Sequence, residues 1–486
     1  MTARSLMIQG TGSDVGKSIL VAGLCRAFTN RGLIVRPFKP QNMSNNAAVT
    51  SDNGEIGRAQ WLQALACKTA PTVHMNPVLL KPESDTGAQV VVQGKVVGHS
   101  SATGYQTRKP SLLNHVMESF EIVRKGADLV VIEGAGSPAE VNLRANDIAN
   151  MGFALPAQTP VILVGDIDRG GVIAALVGTH ALLPEEERQL VKGFIINKFR
   201  GDMSLFDDGM TIIEQKTGWR GFGIVPHLHV VTALPAEDAV VLEKVTNASE
   251  RALKIAVPML SRIANFDDAD PLRAHPEINV VFCPPGKRLP DDADLIIIPG
   301  TKATIADLRF MKAQGWDQDV VNHVNRGRPV LGLCGGYQIL GQCVSDPEGV
   351  EGPPGAELGL GLLNVETVLQ KPKTVRNVTA HYAASGLDVP GYEIHCGETT
   401  GPDQENVFLT VGDQRVGAHS ANGLVFGSYV HGLFLNDIFR GVFLERLGLK
   451  LSGDISYQQS VERALDDLAA ALETHLDVDA LLDAHA

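Results

Sequence analysis

The sequence has 486 residues but few cysteines and no long apolar run. Its six cysteines are scattered without a Cys-x-x-Cys pair, which argues against a zinc ribbon or a disulfide framework. No stretch reaches the ~18 uninterrupted apolar residues that a membrane span needs, and a glycine loop interrupts the first apolar stretch, unlike a secretory signal. We therefore expect a cytoplasmic protein with no membrane span.

Positively charged residues are also fewer than negatively charged ones. The sequence has 42 Lys and Arg against 55 Asp and Glu, a formal net charge of −13, so we expect no nucleic-acid partner. Hydrophobic residues make up 44% and charged residues 20%, which is ordinary for a chain that builds apolar cores. At roughly 100–200 residues per domain, the length predicts two to four domains. The oligomeric state stays open, a homo-oligomer included.

Both halves alternate short β-branched runs with helical segments, the pattern of a parallel sheet covered on both faces. The first half has six such runs, at Leu6–Gln9, Leu33–Phe38, Leu129–Ile132, Val161–Val164, Phe194–Asn197 and Phe222–Val225. The second half has four, at Leu253–Val257, Val280–Cys283, Leu295–Ile298 and Val330–Leu333, and then three that predict antiparallel strands, at Tyr392–His395, Arg415–Ala418 and Leu424–Tyr429. Helical periodicity covers Glu55–Thr69 and Val461–Leu482.

The first strand leads into a glycine loop that ends in Lys-Ser before a helix. The loop consists of Gly10, Thr11, Gly12, Ser13, Asp14, Val15, Gly16, Lys17 and Ser18. Backbone N–H groups of such a loop point at phosphate oxygens, and its lysine reaches the outer phosphates, although here the two glycines lie one residue further apart than in G-x-x-x-x-G-K-[ST]. Ser18 offers a hydroxyl to Mg²⁺, and Glu133, at the end of another predicted strand, faces the same crevice. We predict a site for ATP and Mg²⁺.

The second half contains a cysteine between a buried strand and a helix. Cys334 follows the predicted strand Val330–Leu333, and Gly335 opens the helix. The helix N-terminus favours the thiolate, and the following N–H groups can stabilise an oxyanion, so this turn presents a nucleophile. Gly300 is the predicted second oxyanion donor and His431 the predicted base.

These motifs resemble two known families. The phosphate loop resembles the dethiobiotin synthetase-like P-loop proteins, and Gly12 stands where related partitioning ATPases carry an extra lysine. The cysteine half resembles class I glutamine amidotransferases, which hydrolyse glutamine through a cysteinyl thioester and pass on ammonia. In that class a Glu commonly lies two residues after the His, but Leu433 stands here. Either a Cys–His dyad suffices or another group, with Glu393 as one candidate, orients His431.

As a whole, the chain resembles the cobyric acid and cobyrinic acid diamide synthases of cobalamin biosynthesis. The strings that carry the resemblance, most similar to the cobyric acid synthases, are Lys39–Asn46, Ile132–Leu143, Asp166–Gly171, Asn197–Asp202 and Tyr392–His395. The resemblance implies that ATP and glutamine drive amidation of the b, d, e and g carboxylates of adenosylcobyrinic acid a,c-diamide. Cations and amides suit such a corrinoid substrate, and the candidate contacts are Lys39, Gln41, Asn42, Asn45, Asn46 and Arg169.

We thus predict two tandem α/β domains, a P-loop synthetase domain with a parallel sheet and a flavodoxin-like class I glutamine amidotransferase domain. The predicted bounds are 1–235 for the first, 236–250 for a linker, 251–445 for the second and 446–486 for a C-terminal helical extension. Two alternatives stay open: an a,c-diamide synthase acting on earlier carboxylates, and a nucleotide-dependent regulator with an inactive amidotransferase domain. A lone dethiobiotin synthetase would leave residues 250–486 without a purpose.

Overall fold

A computed structural model describes residues 3–83, 87–237, 253–453 and 455–484. In the first half the strands are β1 Arg4–Gly10, β2 Val35–Phe38, β3 Gln41–Met43, β4 Ala47–Val49, β5 Glu55–Gly57, β6 Val78–Pro82, β7 Gly87–Val92, β8 Lys95–Ser101, β9 Leu129–Glu133, β10 Val161–Asp166, β11 Val191–Phe199 and β12 Arg220–Pro226. The helices are α1 Lys17–Asn30, α2 Arg58–Ala66, α3 Ala102–Arg124, α4 Met151–Ala157, α5 Val172–Leu182, α6 Glu185–Leu190 and α7 Asp207–Thr217.

The core of the first half is a six-stranded parallel sheet. Its order is β12-β11-β10-β1-β9-β2, and all six strands were predicted from the sequence. Strands β9 and β10 are buried along their whole length, because apolar runs without polar alternation must be covered on both faces. Two smaller sheets, β3-β6-β7-β8 and β4-β5, lie beside it and were not predicted.

The second half continues with more strands. These are β13 Leu253–Pro258, β14 Ile263–Ala264, β15 Ile278–Cys283, β16 Leu295–Ile298, β17 Gly300–Thr301, β18 Val330–Leu333, β19 Cys343–Asp346, β20 Gly355–Leu358, β21 Glu366–Val368, β22 Thr374–Tyr382, β23 Leu387–His395, β24 Glu398–Thr400, β25 Val407–Val411, β26 Gln414–His419, β27 Val425–Ser428 and β28 Val430–His431. Its helices are α8 Asp270–Arg273, α9 Thr304–Gln314, α10 Trp316–Asn325, α11 Gly335–Leu340, α12 Asp437–Arg446, α13 Tyr457–His475 and α14 Val478–Asp483.

A ten-stranded mixed sheet forms the core of the second half. Strands β15-β13-β16-β18-β27 pair in parallel, and β26-β25-β22-β23-β28 continue the sheet antiparallel. The predicted fold class, two tandem α/β units with parallel sheets, is therefore confirmed. Of the predicted linker, residues 238–250 lie outside the described part of the chain, and the domain bounds stay predictions.

Two predicted helices have different limits in the structure. The segment Glu55–Thr69 begins as strand β5, paired antiparallel with β4, because Gly57 has extended backbone angles, and the helix starts at Arg58. The segment Val461–Leu482 forms two helices, because Leu476 is extended and forms a bridge with Gly223 of β12.

The C-terminal helix returns to the first half. On α13, Leu468 and Leu472 pack over Gly23 of α1, where a Cβ would lie 2.5 Å from a Leu472 methyl carbon. The buried guanidinium of Arg26 on α1 pairs with Glu462 at 2.5 Å. The end of the chain thus completes the core of its beginning. Within the described ranges no helix has the length and apolar character needed to cross a membrane.

The two halves also share a buried apolar cluster. Ala47, Val49, Leu79 and Val91 of the first half pack against Tyr392 and Ile394 of β23. This contact brings β4 and the start of α2 beside the strand end that carries His431. It positions the second candidate site.

Candidate active sites

The predicted phosphate loop links β1 to α1 with backbone angles that its glycines permit. Gly16 has φ 94°, and a Cβ there would lie 2.4 Å from the amide nitrogen of Asn197. That amide donates to the carbonyl of Val15 at 2.8 Å, while the N–H of Thr11 donates to Val164 at 2.9 Å. These bonds fix the loop residues from Gly10 to Ser18 at the C-terminal edge of the parallel sheet.

Ser18 and Glu133 meet at this edge, as the two predicted metal ligands must. The Ser18 hydroxyl donates to Glu133 Oε1 at 2.7 Å and also lies 2.6 Å from Glu237 Oε2. Lys39 donates to Glu133 at 2.8 Å and to Glu237 at 3.2 Å. Burial opposes the charge of Lys39, but the two carboxylates raise its pKa above the ordinary value. One hydroxyl and two carboxylates form a donor set of the hard oxygen type that Mg²⁺ prefers.

Lys17 is buried in the same place. Its ammonium donates to the carbonyls of Gly12, at 2.9 Å, and Gly136, at 3.1 Å. Burial lowers its pKa to about 8, against the opposing effect of Glu133. A bound anion such as a phosphate group would stabilise the ammonium of Lys17 and so raise its pKa again.

The predicted substrate residues divide into three groups. Lys39 belongs to the phosphate edge. Asn42 and Asn46 are buried and donate to Gln60, at 2.9 Å, and to the Ala236 carbonyl, at 3.1 Å. The others are half-buried or exposed: Gln41 accepts from Tyr105, Asn45 donates to Pro82, and Arg169 lies 3.3 Å from Asp14. Which of them contact a substrate stays a prediction.

The predicted nucleophile Cys334 sits on a sharp turn between β18 and α11. Its backbone has φ 53° and ψ −109°, a left-handed conformation that few non-glycine residues adopt. The turn is held by its N–H, which donates to the Ser428 carbonyl at 2.7 Å. The side chain is 8% exposed, and its thiol lies 3.4 Å from the Ile394 carbonyl.

His431 ends the sheet beside this cysteine and is held by an aspartate. Its Nδ1–H donates to Asp268 Oδ2 at 2.6 Å, and the other oxygen of Asp268 accepts from the Gly432 N–H at 2.6 Å. Burial by itself lowers the pKa of His431, but the charge of Asp268 and a hydrogen bond with Cys334 raise it to about 10. Cysteine, histidine and aspartate thus form a chain of three groups, in which Asp268 favours the imidazolium form of His431.

A pocket surrounds Cys334 and contains both predicted oxyanion glycines. Gly300 lies so close to the imidazole that a Cβ there would be 3.3 Å from His431 Cε1, and Gly335 is the first residue of α11. The Lys, Glu and His side chains that line the pocket are Lys81, Lys302, Glu351, Lys373, His395 and His431. Lys81 comes from the first half, so both halves build this site.

The comparisons with known proteins match each half to a family. Residues 6–241 match the CobQ/CobB/MinD/ParA nucleotide binding domain, and residues 254–439 match the CobB/CobQ-like glutamine amidotransferase domain. Proteins named cobyric acid synthase are 60% identical in Mesorhizobium japonicum, over 99% of both chains, and 60% identical in Brucella suis, again over 99% of both. One from Sinorhizobium fredii is 61% identical over 98% of both. The chain belongs to the cobyric acid synthase family.

Sequence reasoning about this family member missed three groups at the two sites. Asp268 orients His431, whereas the earlier candidate Glu393 is wrong for that role: it pairs with Arg376 at 2.6 Å and lies 3.5 Å from His395. Glu237 joins the phosphate edge, and Arg58 reaches the second half. No local motif marks any of them, because each meets its partner only through the tertiary fold.

Proposed function

We propose that this protein makes cobyric acid by amidating the b, d, e and g carboxylates of adenosylcobyrinic acid a,c-diamide. The net reaction at each carboxylate joins carboxylate, ATP, glutamine and water to give amide, ADP, phosphate and glutamate. Full-length similarity to proteins named cobyric acid synthase favours this substrate over the earlier carboxylates of an a,c-diamide synthase. One observation supports this chemistry. The same chain contains a phosphate loop and, at a separate place, a cysteine–histidine–aspartate site.

In the first half, we assign ATP to the loop from Gly10 to Ser18. Lys17 and Lys39 neutralise negative charge that accumulates when the terminal phosphoryl group moves to a substrate carboxylate. Ser18 and Glu133 would hold Mg²⁺, whose role when bound is to neutralise phosphate oxygens. The product of this step is an acyl phosphate, the activated acid that ammonia attacks. ATP and the substrate carboxylate must therefore bind next to each other near this edge.

In the second half, we assign glutamine to the pocket around Cys334. The thiolate attacks the side-chain amide, and N–H groups near Gly300 and Gly335 stabilise the oxyanion. The imidazolium of His431 then protonates the amide nitrogen as the C–N bond breaks, so that it leaves as ammonia, and water releases glutamate from the thioester. Lys81, Lys302, Lys373 and Glu351 offer charges complementary to the α-carboxylate and α-ammonium of glutamine. We also propose a cytoplasmic location, which the six unpaired thiols support.

Two variants with two nitrogen donors test the division between the sites. Lys17→Ala should abolish amidation from glutamine and from added ammonia, because the acid is no longer activated. Cys334→Ala should lose glutamine-dependent amidation and keep ammonia-dependent amidation. Mass spectrometry of the corrinoid product counts the amides, and supplying cobyrinic acid beside its a,c-diamide separates the two substrate assignments. If folded Cys334→Ala loses both activities equally, the division is wrong; if no glutamate release depends on Cys334 in the presence of ATP and acceptor, the proposed function is excluded.

A further inference from the structure

Helix α2 belongs to the nucleotide-binding half, yet its first side chain lies against the glutaminase residues. Arg58 is 3% exposed. Its Nη2 donates to the Asp267 carboxylate and, at 2.8 Å, to the Tyr392 hydroxyl. The guanidinium carbon also lies 5.1 Å from the ring centre of Trp61 and 5.8 Å from that of Tyr392. A buried cation with these partners is held in one orientation.

One partner of Arg58 stacks on the imidazole, and the other immediately precedes the aspartate that binds it. Asp267 precedes Asp268 in the short helix Phe266–Ala269, and Asp268 accepts from His431. Tyr392 is opposite His431 in the β23–β28 pair, with the two rings stacked 5.3 Å apart at 17°. Arg58 therefore holds the backbone on one side of His431 and the ring on the other.

The adjacent aspartates give this contact an electrostatic purpose. Burial raises the pKa of Asp267 to about 6, against the opposing charge of Arg58. If Arg58 were absent, the carboxylates of Asp267 and Asp268 would compete for the single imidazolium of His431. With Arg58 bound to Asp267, His431 pairs with Asp268 in a fixed direction.

The middle of α2 is held at the phosphate edge. Gln63 donates to Glu133 at 2.6 Å and to the Ser18 carbonyl at 3.3 Å. Gln60 accepts from Asn42 at 2.9 Å. A helix of nine residues anchored this way carries Arg58 as a rigid support.

We propose that Arg58 is a positioning residue for glutamine hydrolysis, supplied by the nucleotide-binding half. It neutralises Asp267 and fixes Tyr392, and so keeps Asp268 and the His431 ring aligned with Cys334. This inference rests on the proposed function, because it presupposes glutamate release that depends on Cys334.

The experiment compares Arg58→Met, Arg58→Lys and Asn377→Ala in the full-length enzyme. Arg58→Met keeps a long apolar stem without charge. Arg58→Lys keeps the charge but loses the planar guanidinium, whose Nη2 reaches both partners. Asn377→Ala is the matched control, since its amide crosses the same boundary between halves, to the Thr50 carbonyl at 2.8 Å, and Asn377 does not line the Cys334 pocket. Glutamate release and ammonia-dependent amidation are measured for each.

Arg58→Met should lower kcat for glutamate release by about 100-fold, the size expected for a misaligned reacting group, with little change in KM for glutamine. The ammonia-dependent amidation of Arg58→Met should stay within about threefold of the parent. Arg58→Lys should have a kcat for glutamate release about tenfold higher than that of Arg58→Met, and Asn377→Ala should have the parent's kcat. Equal losses of both activities, no loss of glutamate release, or no recovery with Lys would each overturn the proposal.

Asp267→Asn provides a second test if Arg58→Met does not fold. This variant keeps the shape of the side chain and removes the carboxylate that anchors Arg58, so it loosens the same support from the other side and leaves the Arg58 guanidinium without its carboxylate partner. It should lower kcat for glutamate release by about tenfold at unchanged KM, and unchanged kcat would overturn the proposal. A parent enzyme with no Cys334-dependent glutamate release would refute the proposed function instead.

Discussion

Replacing Asp268 with Asn tests the arrangement on which glutamine hydrolysis depends. The variant keeps the shape of the side chain 2.6 Å from His431 Nδ1 but removes its charge. The pKa of His431 is about 10, against an ordinary 6.5, which corresponds to about 5 kcal/mol of preference for the imidazolium. Asp268 is the main cation-stabilising neighbour, so we expect kcat for glutamate release to fall about 100-fold, which corresponds to about 3 kcal/mol.

The sign of the pH effect follows from the same charge. In the parent, the imidazolium persists until the pH rises towards 10; in Asp268→Asn its pKa falls, so the alkaline limb of glutamate release moves to lower pH. Ammonia-dependent amidation, measured on the same samples, should be unchanged. Glu393→Gln is the matched control, because Glu393 lies on the other face of its strand, paired with Arg376. Parent-like hydrolysis in Asp268→Asn, or an equal loss in Glu393→Gln, would refute the assignment.

Two further predictions concern stability. Burial raises the pKa of Glu55, but Lys373 and Lys81 outweigh it and lower the pKa to about 2, so Glu55→Gln should cost about 3 kcal/mol of stability at pH 7. The ionised Glu55 stabilises the native state above pH 4.5, and this contribution is lost as the pH falls through 2. The difference between the thermal midpoints of parent and variant should therefore shrink over that range. Leu468→Ala should lower the thermal midpoint, with a cost of about 3 kcal/mol for a cavity between α13 and α1; an unchanged midpoint would mean that the C-terminal helix does not support the first half.

The features that the sequence predicted are those with local causes. Apolar runs without alternation must be buried on both faces, and so the six strands of the first sheet and the four parallel runs of the second could be located. The phosphate loop and the Cys334 turn are equally local, since each needs glycines within a few residues of a strand end.

What the sequence could not supply were partners far apart in the chain. Asp268 lies 163 residues before His431, and no spacing rule connects them. Glu393 is a candidate only through the Tyr392–His395 string, and it lies in strand β23, which pairs with the strand of His431. Successive side chains of a strand point to opposite faces, and Tyr392, its neighbour, is the residue that stacks on the imidazole. The sequence predicts one helix across Glu55–Thr69 because the helical periodicity continues through Gly57. Residues Glu55–Gly57 form a strand instead because they pair with β4, which the local pattern does not show.

The backbone of Cys334 leads to a last prediction, about the conformational cost of presenting the thiol. A non-glycine residue at φ 53° and ψ −109° is strained by about 1–3 kcal/mol, whereas glycine adopts positive φ freely. Cys334→Ala and Cys334→Gly both lack the thiol, so their difference isolates this strain. Glycine loses about 0.4–1 kcal/mol through the greater freedom of the unfolded chain, which leaves a net gain of about 1 kcal/mol. Cys334→Gly should therefore unfold at a higher temperature than Cys334→Ala, and the reverse order would mean that the turn is not strained.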